Sequence, residues 1–353
     1  MKLIIQIPCF NEEHQLPVTL ANLPRQVDGF DVVEWLVVDD GSTDRTIEVA
    51  REHGVDHIVR LTNHKGLAAA FQAGIDAGLK LGADVIVNTD ADNQYDGRDI
   101  PKLVEPIVRG SADMVVGDRQ INTIQHFSGV KKLLQRAGSW VVRHASQTHV
   151  PDTTSGFRAY NREAALSLQV VSRFTYTLET IIQAGKLDVA LDHVPVRTNP
   201  KTRESRLFPS MSAYIRRNAL SIFRVYSQYQ PLKVFWGGAL VMGLAALALF
   251  IRFLVFFVDS PHSAARGHIQ SLIAGAVLFI GAMLLGSLGV IGDLLDAQRT
   301  ISQRTFERVR RIELQLGVKP SHYEPGARPQ GESAATSGRD PGGETADREA
   351  LGV

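Results

Sequence analysis

Asp84-Val85-Ile86-Val87-Asn88-Thr89-Asp90-Ala91-Asp92-Asn93-Gln94 runs from an apolar stretch straight into an acidic one. The run 84–88 predicts a short buried strand, so Asp90 and Asp92 emerge at its C-terminal end. In an open α/β sheet that end is the edge where ligands bind. Strand alternation would put the two carboxylates on one face. Two hard carboxylates side by side suit a divalent cation that keeps positions free for phosphate oxygens. A solvated loop can carry the same triplet, so the reading needs support elsewhere in the chain.

Two earlier strand ends supply it. Leu3-Ile4-Ile5-Gln6-Ile7 leads into Pro8-Cys9-Phe10-Asn11-Glu12-Glu13, and Val32–Val38 leads into Asp39-Asp40-Gly41-Ser42-Thr43-Asp44. Each alone reads as a turn or a helix start, but three in order are improbable as chance turns. Strands are expected at 3–7, 32–38, 57–60, 84–88 and 112–116. Helices are expected near 12–23, 44–53, 65–81 and 99–109, with Asp44 able to cap the second. This is α/β alternation, and the continuous apolar strands fit a sheet covered on both faces. Farther on, helices are expected over 130–144 and 177–184 and a strand over 189–196. A sugar nucleotide can lie across such an edge. Glu12 and Asp40 can accept hydrogen bonds from base or ribose, and Asp90, Asp92 and Gln94 can hold a cation against a diphosphate.

The chain has 353 residues and a net charge of +1, but the charge is unevenly spread. From Arg197 to Lys233 there are eight Lys or Arg and a single acid, Glu204. Cys9 is the only cysteine, which excludes an intrachain disulfide and cysteine metal clusters. Met1-Lys2 leads directly into a first strand too short for a signal core, so no leader is expected. Two stretches, 234–258 and 269–291, are apolar over more than the about 20 residues that a spanning helix needs. A polar connector, 259–268, makes them a hairpin. Arginines flank it on both sides, so the positive-inside rule places the catalytic domain and both termini in the cytoplasm of a multi-pass cell-membrane protein. Arg252 can snorkel to the far interface. The domains are then 1–210, a Rossmann-like catalytic unit; 211–230, an amphipathic juxtamembrane helix; 231–295, the hairpin; 296–317, a charged helix; and 318–353, a tail poor in apolar residues and expected to be disordered. Small residues such as Gly281-Ala282 and Gly286-Ser287 allow helix contacts in a homo-oligomer.

The combination Pro8…Asn11-Glu12-Glu13, Asp39-Asp40-Gly41-Ser42, Asp90-Ala91-Asp92-Asn93-Gln94 and Asp152-Thr153-Thr154-Ser155-Gly156-Phe157-Arg158 resembles a family-2 glycosyltransferase of the GT-A fold. The branch is that of dolichol-phosphate-mannose synthase and the bacterial polyprenyl-phosphate glycosyltransferases, and the likeness covers residues 3 to about 230. The resemblance implies an α/β GT-A domain followed by a two-helix transmembrane hairpin. It implies a donor nucleotide held by Pro8, Phe10, Asn11, Glu12, Val38, Asp40 and Ala91, and Mg2+ or Mn2+ held by Asp90, Asp92 and Gln94. Asp92, Arg119 and Arg206 are the implied catalytic residues, with Arg119 matching the family arginine near the phosphates. In the basic loop relatives carry an Arg and then Gly-x-Ser-Lys. Here Pro200-Lys201-Thr202-Arg203-Glu204-Ser205-Arg206 places Ser205-Arg206 at the Ser-Lys pair and Arg203 where glycine is usual. Lys201, Arg203 and Ser205 either contact acceptor or phosphate, or form a solvated loop drawn to anionic lipid.

The expected reaction is inverting transfer of a hexose from a nucleoside diphosphate sugar, of GDP-mannose or UDP-glucose type, to a polyprenyl phosphate. The expected partners are that donor, that lipid and the membrane, with no nucleic acid. Alternatives are another lipid or polysaccharide acceptor, or a non-catalytic membrane scaffold. A sugar-nucleotide pyrophosphorylase would carry a glycine-rich basic loop where this chain has the acidic 8–13.

Overall fold

The computed structural model describes residues 1–120, 148, 150–170, 176–200, 227, 230–259 and 269–327. An eight-stranded mixed sheet organises them. Four neighbours run parallel at its centre: β4 (Val85–Asn88), β1 (Lys2–Cys9), β2 (Val32–Asp39) and β3 (His57–Arg60). Beyond β4 the sheet continues through β6 (Arg158–Asn161), β5 (Met114–Asp118) and β7 (Leu191–Pro195). β6 is antiparallel to both of its neighbours.

Alternation within the strands sorts the core into two layers. Leu3, Ile5, Ile7, Val33, Val37, Val85, Val87 and Val115 face one side. They meet α1 (Leu16–Asn22), α2 (Thr46–Glu52) and α4 (Ile100–Val108) through Leu16, Leu20, Ile47, Ile100 and Leu103. Ile4, Leu36, Val38, Ile86 and Met114 face the other side. They meet α3 (Leu67–Lys80), α5 (Arg162–Ser167) and α6 (Thr177–Lys186) through Phe71, Ile75, Leu166, Ile181 and Ile182. Each such Leu or Ile contributes about 2 kcal/mol on burial. Within the described residues the expected strands and helices therefore form, with ends shifted by a few residues. The first helix starts only at Leu16, because residues 12–15 form a turn in which Glu12 O accepts from Gln15 and Leu16.

Two long helices follow, α7 (Pro231–Asp259) and α8 (Ile269–Gln315). Both are long and apolar enough to cross a membrane, and only 6% and 17% of their most apolar stretches are buried within the protein. A core helix of a soluble domain would be mostly buried. α8 runs back along α7, with Gly275 lying against Phe250 and Gly289 against Trp236.

The charged helix expected at 296–317 continues the second apolar stretch without a break, and it does not stand apart from the catalytic domain, on which it docks. Arg311 pairs with Glu163, Lys186 with Asp296, and Lys80 with Glu313 at 3.1 Å. Arg310 is buried and donates to the carbonyls of Ala165 (3.2 Å) and Leu168 (3.0 Å), capping the C-terminal end of α5 from the far end of the chain. Nor does disorder begin at Val318. Tyr323–Pro325 forms β8, which pairs antiparallel with β3. An unpaired sheet edge favours such an added strand, and Tyr323 Oη lies 3.1 Å from His57 Nδ1. The expected helices at 130–144 and 211–230, apart from Ser227 and Gln230, and the connector 260–268 lie outside the described residues.

Replacing Arg310 with Ala removes the cap and leaves helix-end carbonyls buried. Arg310→Ala is expected to cost about 2–4 kcal/mol, read as a lowered thermal midpoint by circular dichroism in detergent. An unshifted midpoint would show that α8 does not depend on this anchor.

Candidate active site

Because β4, β1 and β2 are adjacent and parallel, their C-terminal ends deliver the three acidic loops to one rim. The first two loops are stitched to each other. Asn11 (φ 55°) accepts from Thr43 N at 2.8 Å while its own N–H donates to Ser42 Oγ at 2.9 Å. Glu12 N donates to Thr46 Oγ1 at 2.9 Å, and Glu12 is buried. Asp44 accepts from Thr46 N at 3.0 Å, but the N-cap of α2 is Arg45, so the expected cap position shifts by one residue and Asp44 supports the helix start from outside it. Asp39 is buried and accepts from Ser42 N; burial pushes its pKa up.

Asp40 is already engaged. Its oxygens accept from Lys65 N (2.7 Å) and Gly66 N (2.8 Å), and Oδ2 lies 2.8 Å from His64 Nδ1. It thus clamps the loop that opens α3, and Gly41 lets that loop approach. Gly41 has φ +75°, and a Cβ there would stand 2.7 Å from the Asn63 carbonyl carbon. Phe10 stacks on His64 with centroids 4.0 Å apart. Phe10 and Asp40 therefore meet at one spot, through His64. Pro8 and Val38 are buried partners in the β1–β2 ladder, and Ala91 is buried with its carbonyl accepting from Thr19 Oγ1.

Asp90 and Asp92 differ from the expectation in one respect. β4 ends at Asn88, so they lie in a turn, and strand alternation does not set their direction. The turn is held by Asp92 itself, which accepts from Gln94 N (3.1 Å) and Gln94 Nε2 (2.8 Å). Gln94 thus supports Asp92 directly. Asp90 rests over Gly156: a Cβ there would meet both carboxylate oxygens at 3.1 Å and Tyr176 Oη at 2.8 Å. Burial, and next the Asp92 charge, raise the Asp90 pKa to about 7, against the pull of Arg119 and Arg158. No group of three or more His, Cys, Asp or Glu arranged for a metal occurs among the described residues. The fit to a cation rests on a hard oxygen set, Asp90 and Asp92, whose mutual repulsion a divalent ion would relieve.

Sequence reading missed the layer beneath these acids. Asn88 accepts from Gln6 Nε2 at 2.8 Å and donates to Gly156 O (2.8 Å) and Tyr176 Oη (2.9 Å). Gly156 N donates to Tyr95 Oη at 2.9 Å. Arg158 is fully buried and donates to the carbonyls of Thr153, Ser155 and Thr177 and to Thr180 Oγ1. Arg119 is bidentate on Asp152 (2.7 and 3.0 Å) and also donates to Thr154 Oγ1 (2.7 Å). Burial alone would raise the Asp152 pKa, but Arg119 more than offsets it and holds it low. The only signal for this layer was the polar run 152–158, whose partners are scattered from Asn88 to Thr180.

Lys201, Arg203, Ser205 and Arg206 lie outside the described residues. The segment that leads into them does not. Arg197 donates to Asp99 (2.7 and 2.8 Å), Asn199 N donates to Gln94 O (2.9 Å), and Asn199 Nδ2 donates to Asn93 O (3.0 Å). The basic loop therefore starts beside the acidic turn.

A family model described as Glycosyl transferase family 2 matches residues 4–168. An undecaprenyl-phosphate mannosyltransferase of Micrococcus luteus is 30% identical over 206 residues, 56% of this chain and 83% of that protein. A polyprenol monophosphomannose synthase of Mycolicibacterium smegmatis is 31% identical over 167 residues, 45% of this chain and 62% of that one. Among solved structures, glucosyl-3-phosphoglycerate synthase of Mycobacterium tuberculosis, in complex with Mn2+, UDP-glucose and phosphoglyceric acid, superposes with a TM-score of 0.50 at 22% identity, over 63% of this chain and 79% of that one. That likeness is one of fold, the GT-A fold.

Two outcomes follow from the geometry. Gly156→Ala drives a methyl into Asp90 and Tyr176, and is expected to lower activity at least about tenfold; wild-type kinetics would mean that Asp90 is free to move aside. Asp90 has a folded pKa above its unfolded value, so the folded state binds the extra proton. The cation-free protein should then lose stability as pH rises from about 4 to about 7. Thermal midpoints against pH in a chelator should show this slope, and Asp90→Asn should flatten it.

Proposed function

The chain belongs to glycosyl transferase family 2, and from that premise we propose that it moves a hexose from a nucleoside diphosphate sugar to a polyprenyl phosphate, with inversion at the anomeric carbon. The observation that carries this reading is the Asn199–Gln94 hydrogen bond, which starts a loop of Lys and Arg beside two carboxylates. An acidic pair, with Asn199 at its side leading into a Lys/Arg-rich stretch of sequence, suits a diphosphate and a second phosphate. The relatives' names supply the acceptor class and favour mannose. The two apolar helices keep the site near lipid, with the catalytic domain and both termini on the cytoplasmic side.

In this reading Phe10, Asn11, Glu12 and Asp40, with Pro8, Val38 and Ala91 behind them, receive the nucleoside. His64 gives up its stacking on Phe10 to admit the base. Asp90, Asp92 and Gln94 would hold Mg2+ or Mn2+, with Gln94 Nε2 also supporting Asp92. That ion would supply charge neutralisation at the leaving diphosphate. Arg119, fixed in direction by Asp152 and Thr154, faces phosphate with a permanent charge. Arg206, Lys201, Arg203 and Ser205 grip the acceptor or donor phosphate through charge-assisted hydrogen bonds. The acceptor phosphate is anionic at neutral pH and attacks without a strong general base. Rate then comes from placement and charge.

The test is a panel of labelled GDP-mannose and UDP-glucose offered with undecaprenyl or dolichyl phosphate in detergent. Label should enter lipid from one donor. Asp92→Asn should lower turnover at least about 100-fold with an unchanged circular dichroism spectrum, and chelation should abolish transfer. Undiminished labelling after chelation would contradict the cation's part in the scheme.

A further inference from the structure

α8 joins the apolar hairpin to the catalytic site as one uninterrupted rod. Its apolar run ends at Ile291, and Asp293 marks its exit. From Asp293 to Arg299 is about 9 Å of helix, against roughly 6 Å for a headgroup layer. At that height α8 meets α6. Asp296 pairs with Lys186, and Arg299 Nη2 donates to Glu179 Oε1 at 2.6 Å. Glu179 has 8% of its side chain exposed and Arg299 24%. Gln183 Nε2 adds a donor to the same oxygen at 3.4 Å.

Glu179 lies in the first turn of α6, and that turn borders the acids. Tyr176, the residue before the helix, reaches Asn88 and Gly156, and Asp90 rests over Gly156. Arg158 ties Thr177 O and Thr180 Oγ1 to the same loop. One side of this turn touches the Asp90 site; the other is held by a helix rising from the apolar hairpin. A carboxylate at this height repels an incoming lipid phosphate unless a cation screens it.

We propose that Arg299 is a positioning residue for the acceptor: it holds Glu179 and screens its charge, so that a lipid phosphate can approach the Asp90 side of α6. The proposal rests on the polyprenyl-phosphate reading given above. It makes transfer depend on the docking of α8, and it gives a residue well outside the family match a part in the reaction.

The experiment uses the full chain in nanodiscs, with polyprenyl phosphate and labelled donor varied in turn. Arg299→Gln is expected to raise KM for the lipid phosphate about tenfold and to leave KM for the donor within about twofold. Arg299→Lys should restore most of the loss. The double variant Arg299→Gln with Glu179→Gln should recover acceptor KM relative to Arg299→Gln alone, because the repelling charge is gone. A structural role would make the double variant worse. An unchanged acceptor KM in Arg299→Gln, equal rises in both KM values, or a double variant worse than the single overturns the proposal. Wild-type protein that transfers nothing to polyprenyl phosphate overturns the function itself, and this proposal with it.

Discussion

Asp90 and Asp92 sit two residues apart in a turn over the sheet's rim, and their neighbours are arranged to tolerate that concentration of charge. Two guanidinium groups lie close enough to lower the cost, yet each is bound elsewhere: Arg119 to Asp152 and Thr154, Arg158 to carbonyls. The protein thus sets two cations against the negative charges of Asp92 and Glu12 around Asp90 and, among the described residues, gives it no ion pair with Lys or Arg. Burial and the Asp92 charge outweigh the two cations and raise its pKa to about 7, so a bound cation would compete with a proton there. A closed ion pair at Asp90 would have filled the site with the protein's own charge.

The polar layer beneath the acids works by directional bonding. Burying a guanidinium costs several kcal/mol unless its donors are met, and Arg158 meets its donors with three carbonyls and a hydroxyl. Those acceptors come from the 153–155 loop and the start of α6, so one side chain fixes two segments at once. Asn88 does the same between Gln6, Gly156 and Tyr176. The result is a stiff base, on which a shift of the Gly156 backbone passes directly to Asp90.

The sequence made the parallel half of the fold legible because apolar runs and acidic ends repeat there, and β1–β2 and β2–β3 each join strands consecutive in the chain, with only β4 crossing back to β1. Arg158–Asn161 was unreadable as a strand: it is four residues long, with a charged residue at its first position, and its burial depends on β4 and β5 on either side. Strand alternation does not set the directions of Asp90 and Asp92, because the strand stops at Asn88 and both lie beyond it. Asp40 stood out as an acidic strand end, but its bonds to Lys65 and Gly66 come from a loop that pattern cannot place. Arg299 and Arg310 looked like a basic flank of an apolar helix; only the fold reveals that each closes on a specific carboxylate or helix end more than 100 residues away.

β8 lies 266 residues from the strand it completes, counted from His57 to Tyr323. Everything between, including both apolar helices, must leave the ribosome before the outer border of β3 is covered. Synthesis at about 5–20 residues per second leaves that border open for roughly 13–50 seconds. During that interval the nascent catalytic domain carries a bare strand edge, so its solubility through biogenesis depends on how promptly Tyr323–Pro325 arrives.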